Sequence, residues 1–108
     1  MPRFLMVVHT NPVDGADDEY NDWYENAHLD DVLKVPGITS AQRFRLADGG
    51  ADAAYRYLAL YMVEADNVGA VSDELKSRAG TADMPISPAL DPGATIVFYD
   101  EIGPPHTA

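Results

Sequence analysis

The 108-residue chain contains no cysteine. That excludes disulfides, thiolate nucleophiles and cysteine-ligated zinc. Positive charge is scarce, with seven Lys and Arg against 18 Asp and Glu and a formal net charge of −11. Such a chain repels a nucleic-acid backbone and an anionic membrane surface, so neither is expected as a partner. The excess charge serves solubility. An anionic ligand would need a local positive spot, and Arg43 and Arg45 are the candidates. Long apolar runs are also missing. None approaches the ~18 residues of a membrane span. The N-terminal run ends at His9, too short for a signal segment with a cleavage site, and the expected location is the cytoplasm.

Several motifs are absent as well. There is no Gly-x-Gly-x-x-Gly, P-loop or Gly-x-Ser-x-Gly, which leaves nucleotide binding and serine-hydrolase chemistry without support. No two histidines stand four apart on a helix. Glu25 and His28 make one Glu-x-x-His, whereas a di-iron site needs two and further carboxylates. Asp17-Asp18-Glu19 and Asp30-Asp31 read as a charged first helical turn and a solvated face. Neither a metal nor a cofactor is expected.

What remains is a globular pattern, 46% hydrophobic, of the size of a single domain spanning 1–108. Phe4 to Thr10 reads as a buried strand. Asp17 to about Val35 reads as an amphipathic helix with Tyr20, Trp23, Tyr24, Ala27 and His28 on one face. Pro36-Gly37 stops it. Ile38 to Ala47 and Ala54 to Glu64 read as strands joined through Asp48-Gly49-Gly50 and Asp52. Asn67 to Arg78 is a second helix with Asp66 as its cap. The proline-bearing stretch Ala79 to Gly93 is irregular, and Ala94 to Ile102 is a last strand before a tail.

The order is βαββαβ. Right-handed crossovers then give an α+β, ferredoxin-like domain: a four-stranded antiparallel sheet with two helices on one face. The third strand is apolar or aromatic on both sides. Tyr55, Tyr57, Ala59, Tyr61 and Val63 alternate with Leu58, Leu60 and Met62. Helices cover only one face, and a tyrosine-rich sheet cannot lie bare in water. Sheet-to-sheet pairing of two copies would cover it, forming a homodimeric α/β barrel around a pocket.

The stretch Asn11-Pro12, Glu19 to Tyr24, His28, Val32-Leu33, Pro36-Gly37 and Gln42-Arg43-Phe44 resembles the signature of EthD-like members of the dimeric α/β-barrel superfamily. The likeness is strongest over residues 3 to 46. It implies an active site between the concave sheet face and the first helix. It also implies that His28 corresponds to the family's helix histidine, Trp23-Tyr24 to its aromatic pair and Arg43-Phe44 to its second-strand pair. The superfamily includes cofactor-free monooxygenases, polyketide cyclases, lactone isomerases, aldoxime enzymes and haem enzymes, so one fold serves many reactions.

On this reading His28 and Tyr24 are the candidate catalytic pair, one helical turn apart, with His28 moving a proton. Its plainer alternative is a half-buried helix histidine satisfied by Glu25, Asp31 or backbone. His9, Trp23, Arg43, Tyr55, Tyr57 and Tyr61 are the candidate substrate-binding residues. Each has a structural alternative: strand register decides the face of His9, Trp23 would anchor the helix, Arg43 would sit in a salt bridge, and the tyrosines would be a dimer interface or plain strand packing. The functional expectation is a cofactor-independent isomerase, cyclase, lyase or monooxygenase acting on a small hydrophobic ligand, aromatic or polyketide-like. A non-catalytic ligand-binding or structural homodimer is the alternative. A haem protein with His9 or His28 as axial ligand comes third.

Overall fold

The apolar N-terminal run becomes a central strand because it is apolar on both sides. In a computed structural model, which describes residues 2–48 and 53–108, β1 (Arg3–Thr10) is followed by a three-part helical arm. The arm comprises α1 (Asp17–Trp23), a π-helical turn (Tyr24–His28) and α2 (Leu29–Leu33). Then come β2 (Ile38–Arg45), β3 (Tyr57–Glu64), α3 (Val68–Arg78) and β4 (Thr95–Asp100). The four strands form one antiparallel sheet in the order β2-β3-β1-β4. The helices pack on one of its faces. Asp48 lies in the turn after β2, whereas the expected turn residues Gly49, Gly50 and Asp52 fall outside the described residues.

The first helix departs from the expected regular α-helix. The Leu29 amide donates to the Tyr24 carbonyl five residues back, so one extra residue enters the turn. That residue rotates the following face. Ala27, expected on the buried face, is exposed, while Leu29 and Val32 are buried. The second helix is capped by Asn67 instead of Asp66: its side-chain oxygen accepts from the Gly69 amide at 2.8 Å. Asp66 lies one residue too early for the first orphan amides of a helix that starts at Val68.

Register settles the two sheet faces. Tyr57, Ala59, Tyr61 and Val63 turn toward the helices, together with Met6, Val8 and Thr10 of β1. Ala59, Tyr61 and Val63 are almost wholly buried. The aromatic side of β3 is thus the covered side, which corrects the expectation that the tyrosine face needs a partner. The open side carries Leu58, Leu60 and Met62 next to His9, Val7 and Leu5. Beyond them stand Val97 and Tyr99 of β4. Val97 and Tyr99 are 39% and 57% exposed.

Tyr55 does not belong to the tyrosine stripe. Asn11 holds the chain just before β3 by donating to the Ala54 carbonyl and accepting from the Arg56 amide. The ladder therefore begins at Tyr57, and strand alternation does not reach back to Tyr55. Its ring lies 5.6 Å from that of His9.

Gly37 ends the arm with φ +98°, and a Cβ there would sit 3.2 Å from the Glu64 carbonyl oxygen. The Glu64 amide meanwhile donates to the Gly37 carbonyl. Both the left-handed conformation and the close approach exclude a side chain. Gly37→Ala is expected to cost about 1–2 kcal/mol or more in urea unfolding; an unchanged midpoint would contradict this account of the turn.

Candidate functional site

A cavity of about 360 Å³ opens on the helix-covered side of the sheet, beneath the β4 half. Met6, Val8 and Thr10 of β1, Tyr61 of β3, and Ile96 and Phe98 of β4 form its sheet wall. The π turn supplies Tyr24 and His28, and α3 supplies Leu75 and Lys76. Met84, Ile86 and Leu90 close the remaining side. The proline-bearing stretch is irregular because prolines remove backbone donors. It is held down by the Val13 amide to the Ala89 carbonyl and the Asp91 amide to the Asn11 carbonyl.

His28 shares the cavity with Tyr24 through the π turn. Its ring stacks on Trp23 with centroids 4.5 Å apart and meets Tyr24 edge-on at 4.9 Å. Trp23 stands behind His28, and its indole N–H donates to the Pro85 carbonyl. Nδ1 of His28 is buried without a hydrogen-bond partner, the only such side-chain atom among the described residues. The expected partners do not reach it: Glu25 binds Arg43 and Asp31 binds Lys34. Burial pushes the imidazole down to about 4, against a smaller opposing pull from the Asp31 carboxylate. The ring is therefore neutral at pH 7.

The hydroxyl-bearing Thr10, Tyr24 and Tyr61 lie at the deep end. Thr10 and Tyr20 share a short hydrogen bond. Burial pushes the Tyr24 phenol up to about 12, with the Tyr61 hydroxyl and the Arg43 cation offsetting part of the rise. Tyr61 is likewise pushed well up, by burial first and by Tyr24 next. Both phenols remain protonated at neutral pH, as hydrogen-bond donors require.

Not every candidate residue reaches this cavity. Arg43 is nearly buried behind the tyrosines, its guanidinium 4.5 Å from the Tyr24 ring centroid and 5.3 Å from that of Tyr20. It donates to Asn21 Oδ1 at 2.8 Å and pairs with Glu25 at 3.3 Å. Tyr57 donates to Asp17, which also pairs with Arg56 at 3.0 Å. That pairing holds the Asp17 carboxyl below its usual range. His9 and Tyr55 line a separate hollow of about 240 Å³ with Phe44 and Leu46. The structure thus brings Tyr24, His28 and Tyr61 together, sets Trp23 behind them, and leaves His9, Arg43, Tyr55 and Tyr57 elsewhere. Thr10 and Lys76 were not anticipated. The one sequence signal for Thr10 was a polar residue on the Met6 and Val8 side of an apolar strand.

Among the described residues no group of three or more His, Asp or Glu is placed to hold a metal, and no helix is long and apolar enough to cross a membrane. Of the two candidate axial histidines, His9 lies across the sheet from the cavity, whereas His28 is on its wall with one ring face stacked on Trp23.

No family model and no curated protein matches the chain. Solved structures do, over nearly the whole length. An EthD-family protein from Bacillus halodurans C-125 is 15% identical with a TM-score of 0.58, over 94% of this chain and 100% of that one. The haem degrader MhuD from Mycobacterium tuberculosis, with two haems bound in its active site, is 17% identical with a TM-score of 0.62, over 95% and 99%. A dimeric ferredoxin-like protein of unknown function from Thermobifida fusca YX is 14% identical with a TM-score of 0.63, over 93% and 92%. The likeness shows the fold: this chain has a ferredoxin-like βαββαβ fold.

The depressed His28 pKa makes a stability prediction. Between its ordinary 6.5 and about 4, the unfolded chain takes up a proton that the folded chain refuses. Stability is therefore lost as pH falls through that window. Wild type should lose about 3 kcal/mol more than His28→Leu between pH 7 and pH 4. Parallel unfolding curves for the two proteins would show that His28 is not buried neutral.

Proposed function

We propose that the chain is an EthD-like, cofactor-independent enzyme that moves a proton on a small hydrophobic metabolite, aromatic or polyketide-like, held against His28 and Tyr24. The observation that carries this reading is a neutral imidazole, His28, on the wall of a largely apolar cavity that it shares with the protonated phenols of Tyr24 and Tyr61.

The chemistry follows from the protonation states. Neutral His28 accepts a proton from a carbon next to a carbonyl, or from a phenol. The imidazolium it becomes is unfavourable in the empty cavity. The anion formed beside it supplies the compensating charge, so the two develop together. Tyr24 and Tyr61 stay protonated and donate to the developing oxyanion. Isomerisation, cyclisation, elimination and the first step of cofactor-free oxygenation all share this start. On a substrate identified from a metabolite panel, His28→Gln should lower kcat about 10²–10⁴-fold with the fold intact. The acid limb of kcat/KM in wild type should fall near pH 4 rather than 6.5. Unchanged turnover in His28→Gln would refute the assignment.

A second reading, a homodimer closed through the open sheet face, is supported by Val97 and Tyr99 exposed beside Leu5, Leu60 and Met62. It is compatible with catalysis and also describes a purely ligand-binding dimer. We assign His9 and Tyr55 to this partner-facing side. Burying apolar area contributes about 25 cal/mol per Å², so a lysine in the middle should split the pair. Val97→Lys is expected to convert a dimer to a monomer by light scattering; a wild-type monomer at micromolar concentration would dismiss this assembly.

A further inference from the structure

Nearly all the positive charge of this chain is already paired. Of its seven Lys and Arg residues, Arg3, Lys34, Arg43, Arg56 and Arg78 each hold an acidic side chain. Among the described residues, Arg45 and Lys76 form no ion pair. Arg45 lies away from the main cavity, beside the smaller hollow of His9. Lys76 is on the wall of the main cavity, one helical turn after Ser72, which lines the same wall. With 18 acidic residues in the chain, an unpaired cation at that spot is conspicuous.

The cavity is polar at its two ends and apolar between them. Thr10, Tyr24 and Tyr61 are at most 2% exposed and mark the deep end, whereas Lys76 is exposed at the rim. A lysine stem lies along apolar surface while its ammonium stays in water. Its position in the last turn of α3 suits the helix dipole, but it does not explain why this cation faces a cavity.

We propose that the cavity selects an apolar carboxylic acid whose carboxylate meets Lys76 at the rim. Its apolar body fills the cavity, and a hydroxyl or carbonyl at its far end reaches the buried hydroxyls. This deepens the reading of the cavity as the substrate site and rests on it. One ammonium matches one carboxylate charge. A phosphate dianion would find no second cation on the wall beside Lys76, in the field of a strongly anionic protein.

The test uses 6-hydroxy-2-naphthoic acid, its methyl ester and 2-naphthol, with dissociation constants measured by calorimetry on wild type and Lys76→Met. Wild type should bind the acid about fivefold more tightly than the ester, and the preference should shrink with added salt. Lys76→Met should lose or invert that preference while binding the ester and 2-naphthol as wild type does. If the neutral compounds bind but the acid is no tighter, or if Lys76→Met keeps the preference, the Lys76 assignment falls and the cavity reading survives. If none of the three binds wild type, the cavity reading falls and the inference falls with it.

Discussion

The site depends on the burial of phenols between the sheet and the helical arm. Tyr20, Tyr24 and Tyr61 are all within 1% of full burial, and each brings an apolar ring with a hydroxyl that must be satisfied. The rings supply much of the packing that holds the arm to the sheet. The hydroxyls constrain how it packs. Tyr20 finds Thr10, and Arg43 runs behind the rings of Tyr20 and Tyr24. The nearly buried guanidinium is itself held by Asn21 and Glu25. Thus Arg43, a candidate anion holder in the sequence, serves as support for the aromatic layer. The cavity begins where that layer ends.

The π turn couples this packing to the chemistry. A regular helix through Tyr24–His28 would continue the face that carries Tyr20 and Trp23. The inserted residue instead brings Leu29 and Val32 inward, moves Ala27 outward and leaves His28 stacked on Trp23. π turns of this kind are often found at functional sites. Here the turn leaves a neutral imidazole with an unpartnered nitrogen beside phenols that burial keeps protonated. One environmental effect, desolvation, keeps the imidazole and the phenols neutral alike, because it penalises whichever form carries charge.

The two sheet faces divide the work. The face with Tyr57 and Tyr61 is used up within the chain. The face with Leu58, Leu60 and Met62 is left partly uncovered, and β4 adds Val97 and Tyr99 to it. An apolar area of that kind on a small domain usually meets a partner. The expectation of a partner followed from a third strand that is apolar on both sides. Which side needs one did not, because strand alternation is symmetric with respect to inside and outside until a helix is placed on one of them.

Sequence by itself determined the element order, the sheet with two helices on one face, and the closeness of Tyr24 to His28. These rest on local signals: apolar periodicity, the Pro36-Gly37 stop and a spacing of four residues on a helix. Only the tertiary structure decided the rest. The π turn is a register change that periodicity does not encode. Asn11, remote in sequence, fixes where β3 begins and so sends Tyr55 toward His9 instead of toward the cavity. The cavity itself is assembled from β1, the π turn, α2, β3, α3, the 84–90 segment and β4. A site whose walls come from seven separate parts of a chain is set by how those parts pack, and no local pattern in the sequence carries that information.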